Sequence, residues 1–196
     1  MNILQIGAGG IGSYLAELLF KLYRDGVQGT ENMNLTIIDD DKVEEKNLRY
    51  QNFEIKELEE YKARALSNRY FFNSVNKRVE KDEDIANFNL IVLAVDNGKV
   101  RKLVYEYCDK NPTTKYIDLR SEGTAIAFYT SNKSNDLATM LKTIDADAPS
   151  TSCQLKFELE QGKIQQGNKI IASIGSQLIL NELREEPNIA RYNFRF

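Results

Sequence analysis

Short apolar runs alternate with amphipathic stretches along most of this chain. Ile3-Leu4-Gln5-Ile6, Leu35-Thr36-Ile37-Ile38, Leu90 to Val95, Tyr116 to Leu119 and Ala125 to Tyr129 read as strands. The unbroken run from Leu90 to Val95 suits the middle of a parallel sheet, where both faces are covered. Between these runs the apolar period lengthens. Ile11 to Tyr23 carries Leu15, Leu18, Leu19 and Leu22 on one stripe, which predicts a helix. Helices are also predicted over Leu58 to Phe72, Val100 to Asp109 and Lys169 to Glu185. Asp25 to Thr30 is a loop. Ser131 to Ser152, rich in Ser, Thr, Asn and Asp, reads as a crossover loop with room for one helical turn. The alternation predicts an α/β fold: a Rossmann-like, doubly wound, mainly parallel sheet with helices on both faces. Residues 1–196 are expected to form one domain.

The first strand runs directly into Gly7-Ala8-Gly9-Gly10-Ile11-Gly12, a G-x-G-x-x-G turn that opens a helix. Gly7 permits the tight turn, Gly9 a close backbone approach to a phosphate, and Gly12 close packing of helix on strand. The helix N-terminus adds free N–H groups and partial positive charge. A glycine-rich turn that binds nothing is the plainer reading. The second strand ends in Asp39-Asp40-Asp41, where Asp39 is placed to accept hydrogen bonds from a ribose diol. Asp96-Asn97 ends the third predicted strand. Ligands on such sheets sit beyond the strand C-termini, so these three segments are expected to converge.

Composition narrows the chemistry. Lys and Arg number 26 against 29 Asp and Glu, a net charge of -3, which does not suggest a nucleic-acid surface. No apolar run is long enough for a membrane helix. The chain opens on a core strand, so no signal peptide is expected and a cytoplasmic location fits. There is no histidine, which removes Ser-His-Asp and Cys-His catalysis and imidazole ligation. Two cysteines, Cys108 and Cys153, make neither a disulfide framework nor a four-cysteine zinc site.

Gly7 to Ser13, Asp39 to Glu44, Asn47-Leu48-Arg49-Tyr50-Gln51-Asn52-Phe53, Lys62-Ala63 and Val95-Asp96-Asn97 together resemble the ThiF/MoeB-like adenylating enzymes, relatives of the ubiquitin-activating enzymes. The match runs in order over roughly the first 130 residues. Pro149 to Cys153 and the closing helix are more loosely similar to short ThiF-like proteins of phage and plasmid gene clusters. The resemblance implies ATP-dependent adenylation of the C-terminal carboxylate of a small ubiquitin-like or sulfur-carrier protein, with Mg²⁺, by a homodimer. It implies a phosphate loop of Gly7, Gly9, Gly10, Ile11 and Gly12, a ribose contact at Asp39, and a pocket lined by Asn47 and Gln51. Lys62 would contact the phosphates and Asp96 would position Mg²⁺. Asp41 and Asn97 belong to the same motifs. These parts suit the reaction, because negative charge develops on a phosphate as pyrophosphate leaves. Mg²⁺ commonly takes only one or two protein carboxylates. The plainer readings are a surface lysine for Lys62 and a helix N-cap for Asp96.

The sequence departs from that family in places. The Arg of the usual Asn-Leu-x-Arg-Gln motif falls on Tyr50. Arg49 lies one residue earlier, and a shift of one position turns a side chain to another face. Glu59 stands where a glycine is usual, and the paired Cys-x-x-Cys motifs of many relatives are absent. Cys153 is a candidate acyl acceptor at the possible start of a helix from Gln154 to Gln161, where a thiol pKa is lowered. A buried, inert cysteine is its plainer reading, and Cys108 is expected in the core. Two other functions stay open. A nicotinamide-dependent oxidoreductase would share the glycine loop and Asp39 but gives no account of Asn47, Gln51 and Lys62. A non-catalytic relative would explain Tyr50.

Overall fold

The computed structural model describes residues 1–144 and 159–196. The elements are β1 (Asn2–Ile6), α1 (Gly10–Arg24), β2 (Asn34–Ile38), α2 (Lys62–Tyr70), β3 (Asn73–Val75), β4 (Leu90–Leu93), α3 (Gly98–Lys110), β5 (Lys115–Glu122), β6 (Ala125–Thr130), α4 (Leu137–Leu141), α5 (Gly167–Leu183) and β7 (Arg191–Arg195). They build a seven-stranded sheet in the order β3-β2-β1-β4-β5-β6-β7. Strands β3, β2, β1, β4 and β5 are parallel, and β6 and β7 are antiparallel. The chain order reverses between β1 and β4, so a crevice opens there at the strand C-termini.

Pleating sorts the strand residues to two cores. Ile3, Leu35, Ile37, Leu90 and Val92 face α1, α2 and α5, where Ile11, Leu15, Leu19, Leu66, Ile171 and Ile179 meet them. Leu4, Ile6, Ile38, Ile91 and Leu93 face α3, where Val100, Val104, Tyr105 and Cys108 pack. Burial on both faces is why the strands read as unbroken apolar runs. Cys108 lies in the second core, and burial pushes its thiol up to about 12. It stays a protonated hydrophobe rather than a nucleophile.

Several element limits differ from the sequence expectation. The second helix begins at Lys62 rather than near Leu58. Glu59 has φ +66°, a left-handed conformation that interrupts a helix, and a bridge joins Lys42 to Tyr61. The family's glycine at this position would adopt that backbone without strain. The fourth strand ends at Leu93, although the Ala94 N–H still reaches the Ile6 carbonyl at 2.8 Å. The helical turn within the Ser131–Ser152 segment is α4, capped by Asp136. Residues 145–152 of that segment, Cys153 and residues 154–158 lie outside the described residues. Two strands have no counterpart in the sequence reading. Strand β3 has three residues, two of them polar. In β7 the alternation Tyr192, Phe194 is short and lies on the fully exposed edge.

Candidate functional site

Backbone geometry makes the glycine loop. Gly7 has φ +99°, and a Cβ there would lie 2.5 Å from the Ala94 carbonyl oxygen. A Cβ on Gly12 would collide with the Gly7 carbonyl, so α1 can approach β1 this closely only with glycine at both positions. Gly9 precedes α1 and supplies no side-chain cap. The first-turn N–H groups of α1 therefore lack an internal partner, as an anion site requires. The loop is held from below by Gln5, fully buried in β1. Its Nε2 donates to the Gly7 carbonyl at 3.0 Å and the Gly12 carbonyl at 3.1 Å. Sequence reasoning missed Gln5. The signal was a polar residue inside an apolar strand, which must find partners.

The end of β2 meets that loop. Ala8 N–H donates to Asp39 Oδ2 at 2.6 Å, and Asp41 N–H donates to Oδ1 at 2.8 Å. Burial raises the Asp39 pKa, against the pull of the Ala8 N–H and of Lys62. Lys62, the first residue of α2, is 7% exposed and its Nζ lies 2.8 Å from Asp41 Oδ2. Its backbone N–H also donates to the Asp41 carbonyl at 2.8 Å. Because Asp41 is exposed, a phosphate could take its place on the Lys62 ammonium without stranding a buried charge. Asp40 turns outward to Arg78 at 3.2 Å.

The Asn47–Phe53 segment is lashed to α1. Asn52 N–H donates to Ser13 Oγ at 3.0 Å, and Asn52 Nδ2 donates to Glu17 and to the Tyr70 hydroxyl, both at 3.0 Å. Arg69 binds the Asn52 carbonyl at 2.9 Å and pairs with Glu57. Asn47 is buried, with its Oδ1 accepting from Glu44 N–H at 2.9 Å, and its carbonyl accepts from Gln51 N–H at 2.8 Å. This places Gln51 beside Gly9. Gln51 Oε1 is buried with no hydrogen-bond partner among the described residues.

Asp96 follows β4. It is exposed, and its carboxylate makes no hydrogen bond or ion pair among the described residues. The cap of α3 is Asn97, not Asp96: Asn97 Oδ1 accepts from Lys99 and Val100 N–H at 2.9 and 3.4 Å. The Asp96 turn is fixed from beneath. Arg101 Nη2 donates to the Val95 carbonyl at 2.5 Å, and its Nε donates to Asp118 Oδ1 at 3.0 Å. Asp118 is fully buried and also receives Arg120 Nε at 2.8 Å and the Tyr105 hydroxyl. The two guanidiniums hold its carboxyl below the usual range despite burial.

These segments converge as expected on a cavity of 340 Å³ at the sheet's topological switch. Gly7, Gly9, Gly10, Asp39, Asp41, Asn47, Gln51, Lys62, Asp96 and Asn97 are all on its wall. Ile11 faces a second cavity of 530 Å³, which shares Val95 and Asp96 with the first and carries Arg101, Arg120 and Ser121. Gly12 supports the loop from outside. Arg49 is exposed and away from both walls, with its Nη2 3.5 Å from the Leu159 carbonyl, whereas Tyr50 is on the wall of the first cavity. Lys46, Lys77 and Arg78 are on the same wall, paired with Glu44, Asp84 and Asp40. Sequence reasoning missed them, since Lys46 lies in a 3₁₀ turn and Lys77 and Arg78 follow a three-residue strand, neither of which it foresaw. The oxygen atoms of Asp39, Asp40 and Asp41 come within 4.8 Å of one another. Contacts to N–H groups, Arg78 and Lys62 already engage these carboxylates, whereas the Asp96 carboxylate on the same wall has no partner among the described residues. No described helix is long and apolar enough to cross a membrane.

Comparison with known proteins gives the fold a context. Residues 1–194 match the model of the ThiF family. Among curated proteins none matches this chain. The structure of E. coli MccB with ATP superposes with a TM-score of 0.69 at 16% identity, covering 100% of this chain and 60% of that one. E. coli MccB with MccA-N7isoASN gives 0.68 at 16%, covering 100% and 61%. The selenomethionine form of PaaA gives 0.68 at 14%, covering 100% and 60%. The chain thus spans about 60% of the length of these structures.

Proposed function

This chain belongs to the ThiF family, and from that premise we propose that it uses ATP to adenylate the C-terminal carboxylate of a small ubiquitin-like or sulfur-carrier protein. The observation that carries this reading is the convergence of Gly9, Gly10, Asp39, Gln51, Lys62 and Asp96 on one cavity. The donor set fits a nucleotide. The free N–H groups of α1 and the Lys62 ammonium suit phosphate oxygens. Asp39 and the unpartnered Gln51 Oε1 are acceptors for ribose hydroxyls. Asp96 would hold the magnesium ion, which when bound neutralises phosphate charge. E. coli MccB has been crystallised with ATP and with MccA, which supports the same chemistry here.

In this reading the substrate carboxylate enters from the second cavity, past Val95 and Asp96. An oxygen of that carboxylate forms a bond to the α-phosphorus, and the bond to pyrophosphate breaks. Lys62 and the α1 N-terminus stabilise the charge that develops. Lys46, Lys77 and Arg78 are further cations on this wall, paired with Glu44, Asp84 and Asp40, and would have to leave those partners to serve in place of the arginine absent at Tyr50. Transfer to Cys153 would be a later step that adenylation does not need. Tyr50 on the cavity wall favours one second reading, a nucleotide-binding relative without turnover.

Mg-ATP is expected to raise the melting temperature by mass action, and NAD⁺ is not. Asp39→Ala should remove most of the shift. A shift with NAD⁺ and none with Mg-ATP would contradict adenylation. We further place the protein in a homodimer, the commonest closed arrangement. A monomer mass by light scattering at micromolar concentration would exclude it.

A further inference from the structure

Against the glycine loop sits a buried side chain with no hydrogen-bond partner among the described residues. Asn168, in the first turn of α5, is 1% exposed, and neither its Nδ2 nor its Oδ1 has a hydrogen-bond partner. Leaving a buried polar group open destabilises a fold, because the group gives up its hydrogen bonds to water and gains none. Such groups call for an explanation, and completion by a ligand is one.

The position of Asn168 is set from two sides. Its carboxamide lies against the Cα of Gly10, so closely that any Cβ there would collide with Nδ2. Gly10 is on the wall of the 340 Å³ cavity. The preceding residue, Gly167, packs on Ser121, whose Oγ lies 2.6 Å from where a Gly167 Cβ would be. Ser121 is on the wall of the 530 Å³ cavity, and its hydroxyl is also buried and unpartnered. Gly10 and Ser121 thus tie these two open groups to the walls of the two cavities, while Asn168 itself is on neither wall. Both α1 and α5 begin there without a side-chain cap.

The chemistry of the open groups selects a ligand. A carboxamide offers a donor and an acceptor together. The phosphate oxygens of a bound nucleotide are acceptors, so they could complete Nδ2 but would leave Oδ1 open. A peptide bond brings both a carbonyl and an N–H. We propose that Asn168 is a substrate-binding residue, its carboxamide pairing with the last peptide bond of the chain whose C-terminal carboxylate is activated, with Ser121 Oγ as a second partner. This rests on the adenylation reading and adds a requirement to it: the linkage next to the reacting carboxylate must be an amide. Glycine at position 10 then has a second purpose, since it leaves room for the carboxamide beside the phosphate loop.

The test uses the full chain labelled with nitrogen-15. The Asn168 side-chain NH₂ pair is identified by its loss in Asn168→Leu. That variant replaces an unsatisfied buried amide with an apolar group of similar shape, so it is expected to melt no lower than wild type. A magnesium complex of a non-hydrolysable ATP analogue should move the Gly9 and Gly10 backbone amides and leave the Asn168 pair in place. Adding millimolar N-acetyl-glycylglycine should then move the Asn168 pair. The ester analogue, with oxygen in place of the last peptide N–H, should bind about tenfold more weakly to wild type and show no such penalty with Asn168→Leu. An Asn168 pair that responds to nucleotide alone, or stays still with the peptide, overturns the proposal. So does equal affinity of wild type for amide and ester. If the nucleotide analogue moves no glycine-loop amide, the adenylation reading fails as well.

Discussion

Lys62→Ala and Asp96→Ala are each expected to lower ATP–pyrophosphate exchange by about 10²–10³-fold, the usual loss when a group that stabilises developing charge is removed. Neither should disturb the fold much. Asp96 is exposed and unpartnered among the described residues, and Lys62 pairs with the exposed carboxylate of Asp41, although its loss also withdraws a cation from Asp39. Melting temperatures should stay within a few degrees of wild type. Lys62→Arg should not restore activity, because a planar guanidinium does not replace a compact ammonium in a buried slot. Steady-state exchange measured beside thermal melts checks both halves. Exchange at the wild-type rate in either variant would remove that residue from the chemistry.

Asp118→Ala should have the largest effect on stability. Asp118 is fully buried and compensates two guanidiniums whose side chains are 11% and 20% exposed. Removing it leaves both without their carboxylate, and breaking such a pair costs about 3–5 kcal/mol, or about 6–20 °C in melting temperature at this size. The effect has a defined pH dependence. The native pKa of Asp118 lies below its ordinary value of 3.8. Its stabilisation is therefore complete above the unfolded value and lost as pH falls through the lower native one. The gap between wild type and variant should be full at pH 7 and close in acid, below about pH 4. Thermal melts across that range would show it, and a gap of the same size at pH 3 and pH 7 would contradict it. Loss of Asp118 should also loosen the Asp96 turn, since Arg101 links the two through the Val95 carbonyl.

The parts of this fold that were legible in the sequence are those where one residue type answers one local demand. Gly7 and Gly12 stand where a Cβ would strike a carbonyl, so the glycine loop could be read directly. Leu15 and Leu19 mark the buried stripe of α1 because helical period and burial coincide there. The placement of Asp39 and Asp96 followed from strand ends alone. Other features depend on tertiary contacts that leave no local mark. Asn52 secures the Asn47–Gln51 segment through Ser13, Glu17 and Tyr70, residues up to 39 positions away. Asn168 meets Gly10 only because α5 returns beside α1. Strand β7 is held by pairing with β6, from Ala125↔Arg195 to Tyr129↔Arg191, rather than by burial of its own side chains. Arg49 shows the limit of motif reading, where one residue of shift carried it off the wall that Tyr50 occupies.

Adenylation is tested most directly by ATP–pyrophosphate exchange in the presence of a small ubiquitin-like protein ending in a free glycine carboxylate. The account predicts that labelled pyrophosphate enters ATP only when protein, Mg²⁺ and that carboxylate are all present, and that amidating the C-terminus abolishes exchange. Cys153→Ser should leave it intact, since exchange reports formation of the acyl-adenylate and not transfer to a thiol. No exchange with the free carboxylate, while Mg-ATP still raises the melting temperature, would contradict the account and leave a nucleotide-binding protein without turnover.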